Sequence, residues 1–214
     1  MAKSAKTTAT DVFRKAQRHL SRCDPQLARL IKRVGVCTLQ PGGEPFELLV
    51  RSIISQLIST KAALTIAARV ETALHPHGLT VAGVAAVSEE ALRGAGLSRT
   101  KAQALKDLAS RAERGDLPLD RLTELGDDEV IDCLVPVRGI GRWTAEMFLI
   151  FALGRLDVWP IDDFGLRAGV RDVYELLELP NRAALRERGE PWRPYRSIAT
   201  WYFWRSRGLV PQSD

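Results

Sequence analysis

Apolar residues along this chain recur at intervals of three and four, the spacing that gathers them on one side of an α-helix. The strict alternation of a half-buried strand is hard to find. From Phe46 one stripe runs through Leu49, Val50, Ile53, Ile54, Leu57 and Ile58, which predicts a continuous buried helix starting at Pro45. Ser59 and Thr60 can cap a second helix, "KAALTIAARVETAL", closing near His75-Pro76-His77-Gly78. Ser88 can start a short one in "EEALRGAG", and "RTKAQALKDLASRAER" reads as another, stopped around Gly115. Asp127, Asp128 and Glu129 load acid into the first turn of "DDEVIDCLVPV", where the helix dipole favours it. The last third offers "LRAGVRDVYELLEL" and, after the proline-bounded "EPWRPYRS", the helix "SIATWYFWRSRG". The expected class is all-α.

Chemistry enters at "VPVRGIGRWTAEMFLIFALGRLDVWPIDDFGL", Val135 to Leu166. Gly139-Ile140-Gly141 forms a tight turn before an apolar helix, and Asp162 and Asp163 stand side by side after a Trp-Pro corner. "GIGRWT" followed by acids about twenty residues on imitates a dinucleotide fingerprint, which would need a strand in "VIDCLVPV" and a small residue where Thr144 stands. The competing reading is a helix-hairpin-helix, in which glycine lets the backbone approach a phosphate and the amides of Gly141 and its neighbours receive the oxygens. A plain helix-helix turn with no ligand also fits the motif by itself. Gly94-Ala95-Gly96 is a weak echo of the same unit. Either acid of the pair can serve as the N-cap of the helix that follows.

Composition narrows the choice. With 214 residues, 45% of them hydrophobic, the chain can bury a core in one domain or two small lobes. Lys and Arg number 31 against 26 Asp and Glu, a net charge of +5 that suits a polyanionic partner. Cys23, Cys37 and Cys133 form no paired motif, and His19, His75 and His77 have no zinc spacing, so metal chemistry and a disulfide framework are not expected. The start, "MAKSAKTTATD", carries no apolar segment, and residues 1–11 read as a flexible tail rather than a signal or anchor. No run reaches transmembrane length, so no membrane partner is expected.

"LVPVRGIGRWTAEMFLIFALGRLDVWPIDDFGLRAG" resembles the hairpin, Gly/Pro-rich loop and aspartate of the helix-hairpin-helix (HhH-GPD) DNA glycosylase superfamily, in its 3-methyladenine DNA glycosylase II-like branch. "PFELLVRSIISQLIS", "AGLSRTKAQALKDLA" and "WRPYRSIATWYFW" agree in the family's order, so the resemblance covers most of residues 12 to 208. It implies two helical lobes with a central cleft: one of residues 54–156 containing the hairpin at about 134–146, the other of 12–53 plus 157–214. It also implies the compact form, without the N-terminal β domain of some bacterial relatives.

The activity implied is base-excision repair of alkylation damage: hydrolysis of the N-glycosidic bond of alkylated purines, of the 3-methyladenine and 7-methylguanine type, flipped out of double-stranded DNA. The partner is that DNA, the protein is expected to act as a monomer in a bacterial cytoplasm or a nucleus and not to be secreted, and no cofactor is required. Asp163 matches the family's catalytic aspartate, with Asp162 and Arg196 supporting it. A carboxylate at that place stabilises the oxocarbenium-like sugar. Trp143 and Trp204 match base-pocket positions, and Trp201, one turn back from Trp204, can be packing. Gln56 and Leu57 match the wedge that fills the vacated step, although Leu57 also continues the buried stripe. With Arg138, Gly139, Gly141, Arg142 and Thr144 they make up the DNA-contacting set. The backbone carbonyls of Val135, Val137 and Ile140 match a site for a monovalent cation.

Two departures touch this pattern: Arg138 replaces the usual proline before the hairpin, and Met147 replaces a pocket aromatic. Trp143 stands where strand-cleaving relatives place a lysine, which predicts a monofunctional enzyme without a Schiff base. The chain also lacks the four-cysteine cluster of iron-sulfur members. The alternatives are a non-catalytic helix-hairpin-helix DNA-binding protein and a nucleotide-binding α/β enzyme.

Overall fold

In the computed structural model of the protein, residues 9–210 are described. They form α1 (Ala9–Cys23), α2 (Pro25–Val34), α3 (Pro45–Ser55), α4 (Thr60–Ala73), α5 (Val81–Ala86), α6 (Glu89–Gly94), α7 (Arg99–Glu113), α8 (Asp127–Leu134), α9 (Arg142–Phe151), α10 (Phe164–Val173), α11 (Arg182–Gly189), a 3-10 turn (Glu190–Trp192) and α12 (Arg196–Ser206). No strand occurs among the described residues. The fold is all-α, and the α/β reading fails at its first requirement, because "VIDCL" is the body of helix α8. Helices α1, α2, α5 and α11 add to those read from the sequence. Of the expected tail, residues 1–8 lie outside the described residues, and Ala9 to Asp11 are helical rather than flexible. No helix among the described residues is long and apolar enough to cross a membrane.

The chain divides into two compact units, one of residues 41–154 and one of residues 1–40 and 155–214. The sequence reading sets these boundaries at 53/54 and 156/157; α3, which that reading divides, is one helix lying whole in the unit of residues 41–154.

In that unit the apolar face of α3 (Phe46, Leu49, Val50, Ile53, Ile54) is buried, as are Leu105 and Leu108 of α7, Val130 and Leu134 of α8 and Phe148 to Ile150 of α9. Helices α4 to α7 start at hydroxyl caps: Ser59, Thr80, Ser88 and Ser98 accept from the amides of Ala62, Gly83, Ala91 and Lys101. Each such cap contributes roughly 1 kcal/mol. The α3 stripe does not run on as its spacing predicts. The helix stops at Ser55, Leu57 takes a φ of 59° and becomes fully exposed, and Ile58 is partly exposed.

The unit of both ends is built around α12, where Ser197 through Trp204 are all buried. A helix apolar on every side belongs in the middle of a core. Trp201, Tyr202 and Trp204 cannot share one face, and the structure resolves this by enclosing the helix. Trp192 and Trp159 meet edge-on with centroids 5.2 Å apart, and Phe203 lies 5.5 Å from Trp192. The Tyr202 hydroxyl donates to the Gly35 carbonyl at 2.8 Å and accepts from Gln17. A Cβ on Gly169 would lie 2.9 Å from both Cβ and the carbonyl oxygen of Phe203, so only glycine lets α10 pack this closely on α12. α10 is shorter than "LRAGVRDVYELLEL" suggests. It ends at Val173, where Tyr174 turns to hydrogen-bond Asp24 and Glu175 takes a φ of 53°.

Candidate functional site

The two adjacent acids diverge. Asp163 is 9% exposed and is the N-cap of α10; its Oδ1 accepts the Leu166 amide and, at 2.7 Å, the indole N–H of Trp204. The Asp162 side chain is 43% exposed and pairs with Arg182. One carboxylate is therefore held by the fold while its neighbour faces solvent. The corner before them is fixed by Ile161 N–H to Trp159 O and Asp163 N–H to Pro160 O, both 2.9 Å.

Gly165 is a residue the sequence reading missed. A Cβ there would stand 3.1 Å from Asp163 Oδ1, 3.2 Å from Trp204 Cδ1 and 2.6 Å from Leu209 Cδ1. The leucine tip can move; the other two are held. A glycine two places after a capping aspartate was the available signal.

Arg196 is nearly buried and grips Asp157, with Nε to Oδ1 at 2.8 Å and Nη2 to the Asp157 carbonyl and Oδ2 at 2.8 and 3.0 Å. Arg193 adds a bond to Asp157 Oδ2 at 2.7 Å. Ser197 Oγ donates to Arg155 O at 2.6 Å, so the start of α12 anchors the loop leading to the aspartates. These contacts make Arg196 a brace for the loop before the aspartates.

In the other unit, α8 and α9 are joined by a hairpin closed by Val137 N–H to Leu134 O and Ile140 N–H to Val137 O, each 3.0 Å. Val137 and Ile140 are buried and Val135 is partly exposed. Gly139 has a φ of 80°, which calls for glycine. Gly141 is different. Its φ is −97° and a Cβ on it would meet nothing within 4 Å, so its lack of a side chain serves only to leave the space before α9 open. Arg138 is anchored to α7: its amide donates to Asp107 Oδ2 at 2.8 Å and its guanidinium to Gln103. Burial opposes the charge on Asp107, but the Arg138 amide and Arg111 outweigh it and hold this carboxyl below its usual range.

On α9, Arg142 pairs with the buried Glu146 at 3.2 Å, and Thr144 is buried in the first turn. Trp143 is 45% exposed; Met147 and Phe151, at four-residue steps, share its face and are also partly exposed. Phe151 was not singled out in the sequence. Before the hairpin, Gln56 Nε2 donates to Gly139 O at 2.9 Å, and the exposed Leu57 follows it. A leucine in the left-handed region costs about 1–2 kcal/mol. This side chain bears that cost without the return of burial. Gln56, Leu57 and Gly139 are thus brought together on one unit, and Asp163 and Trp204 on the other.

The model of the HhH-GPD superfamily base excision DNA repair protein family matches residues 50–194, which takes in the hairpin, both aspartates and the loop before them. The chain belongs to this family. DNA-3-methyladenine glycosylase 1 of Schizosaccharomyces pombe is 35% identical over 203 residues, covering 92% of this chain and 88% of the relative. Among solved structures, a DNA-3-methyladenine glycosidase from Bacillus halodurans superposes with a TM-score of 0.83 at 35% identity, covering 90% of this chain and 89% of the other. The 3-methyladenine DNA glycosylase Mag1 of S. pombe, in complex with abasic DNA, gives 0.79 at 34% identity, covering 94% and 100%.

Proposed function

We propose that this protein is a base-excision DNA glycosylase that hydrolyses the N-glycosidic bond of alkylated purines flipped out of double-stranded DNA. Membership of the family and its relatives, named as 3-methyladenine glycosylases, support the activity. The relative seen with abasic DNA holds the product that such a reaction leaves. The observation that carries the mechanism is the pair of N–H donors on Asp163 Oδ1, which fix one carboxylate of the adjacent two.

Departure of the base leaves positive charge on the deoxyribose. A carboxylate already oriented stabilises that charge without reorganising, and it can direct or deprotonate the attacking water. A purine methylated on a ring nitrogen is itself cationic, so it leaves readily and is attracted to an aromatic face. Trp143, half-open beside Met147, offers such a face, and a cation-π contact of about 0.5–2 kcal/mol favours the damaged base. Trp204 offers its indole edge to Asp163, and its share in the base pocket is that of holding the carboxylate. With tryptophan rather than lysine at position 143 no Schiff base forms there, and the product is an abasic site without strand scission.

Gly139, Gly141 and the first-turn amides of α9 take the phosphate backbone, with Arg142 near them. Leu57 fills the gap left by the flipped nucleotide, whose extrusion costs a few kcal/mol. The carbonyls of Val135, Val137 and Ile140 are an uncharged oxygen set of the kind that suits a monovalent cation, which would brace the turn and take no part in the chemistry. The protein works on DNA as a monomer.

Chromatography of bases released from methylated duplex DNA tests the proposal. The wild-type protein should release 3-methyladenine and 7-methylguanine, and Asp163→Asn should release neither while still binding duplex. Binding without release by the wild type points instead to a non-catalytic DNA-binding protein.

A further inference from the structure

Helix α3 ends at Ser55 and the chain turns at once. Gln56 has φ −55° and ψ 130°, Leu57 has φ 59°, and the Ile58 amide reaches the Ser55 carbonyl at 3.4 Å. This is the backbone pattern of a type II turn with leucine at the position such turns reserve for glycine. Had α3 continued, the Ile54 carbonyl would have accepted the Ile58 amide and the Gln56 carbonyl the Thr60 amide. Both carbonyls are instead taken by one ammonium: Lys101 Nζ, from the first turn of α7, lies 2.7 Å from each. Lys101 has no carboxylate partner among the described residues, and burial pushes its amine below the ordinary lysine range. This cation, kept partly out of water, takes the place of the solvent or glycine that otherwise satisfies carbonyls at a helix end.

We propose that Lys101 is the positioning residue of the Leu57 wedge. Its ammonium holds the carbonyls that would otherwise carry α3 onward, so the break falls at Gln56 and Leu57 stays extended from the surface. The inference rests on the reading of Leu57 as the side chain that enters the vacated base step. The same chain supplies an internal comparison. Lys106 caps α5 in the same way, donating to the carbonyls of Val84, Ala85 and Val87 at 3.1, 2.7 and 2.8 Å, where no strained or exposed apolar residue follows. Lys106 is a structural cap; Lys101 is a cap with a projecting side chain to aim.

The test is the preference of the full-length protein for a duplex with a central tetrahydrofuran abasic analogue over the intact duplex of the same sequence. A pre-set wedge fills the gap in the first and has nowhere to go in the second, so loss of aim lowers this ratio and leaves phosphate-driven binding alone. Lys101→Met and Leu57→Ala should each lower the ratio by about tenfold, and combining them should lower it no further. Lys101→Arg should restore most of it, and Lys106→Met should lower the melting temperature while leaving it unchanged. Lys101→Gln, with a shorter neutral donor, should give an intermediate ratio and serves if the methionine variant folds poorly. An unchanged ratio in the Lys101 variants, or an equal fall in Lys106→Met, overturns the proposal. Base release from methylated DNA by the wild type, measured alongside, tells failure of the glycosylase reading from failure of this one.

Discussion

The indole of Trp204 and the carboxylate of Asp163 are joined by a hydrogen bond of 2.7 Å, although the residues lie 41 positions apart in the chain. The bond makes a buried aromatic responsible for the aim of the acid. Trp204→Phe keeps most of the packing and removes only the donor. A hydrogen bond to a charged group contributes about 1.5–3 kcal/mol, so kcat for base release should fall by roughly tenfold or more. KM should hardly move. An unchanged kcat would separate the tryptophan from the chemistry.

Gly165→Ala should act through the same pair. Its new methyl would press on Asp163 Oδ1 and Trp204 Cδ1 while the helix itself tolerates alanine better than glycine. Single-turnover rates should drop with little or no loss in melting temperature. A drop in stability that matches the drop in rate would mean that the methyl disturbs packing generally.

The two hairpin glycines should part company. Gly139→Ala places a side chain at a φ of 80° and should cost about 1–2 kcal/mol of stability. Gly141→Ala meets no atom within 4 Å and should leave the melting temperature unchanged, yet weaken duplex binding by closing the space before α9. Melting curves and binding isotherms on both variants check this.

Asp107 ties α7 to the hairpin through the Arg138 amide, and its carboxyl is held below the usual range in the folded chain. Its stabilising contribution is therefore present above the unfolded value, about 4, and is lost as pH falls through the lower folded one. Amide exchange of Arg138, corrected for intrinsic rates, should be as slow at pH 5 as at pH 7 and should quicken below about pH 4. Asp107→Ala should show fast exchange at every pH.

Much of this was legible in the order of residues. The helices α3, α4, α7 and α9 follow from apolar spacing, helped at α4 and α7 by serine caps, because those signals are local. The family resemblance singled out Asp163, and its burial then distinguishes it from Asp162. What spacing misplaced was Leu57. It fits the stripe of α3, but contacts distant in sequence meet the chain at the break before it, from Lys101, 45 residues on from Gln56, and from Gly139. Gly165 went unnoticed for a related reason: its neighbours are a cap and a tryptophan from α12, which proximity in sequence does not reveal. The enclosure of α12 was hidden too, since a helix apolar on all sides has no periodicity to read.

That enclosure ties stability and site geometry together. The segment from Arg196 to Trp204 steadies the approach loop at one end and steers the acid at the other, and it is also the spine on which its unit folds. On the proposed function, a substitution that reshaped this buried segment to alter the site would also lower heat tolerance. Trp143 and Met147 are partly exposed instead, so on the proposed function changes there would alter the face offered to the base with less cost to the core.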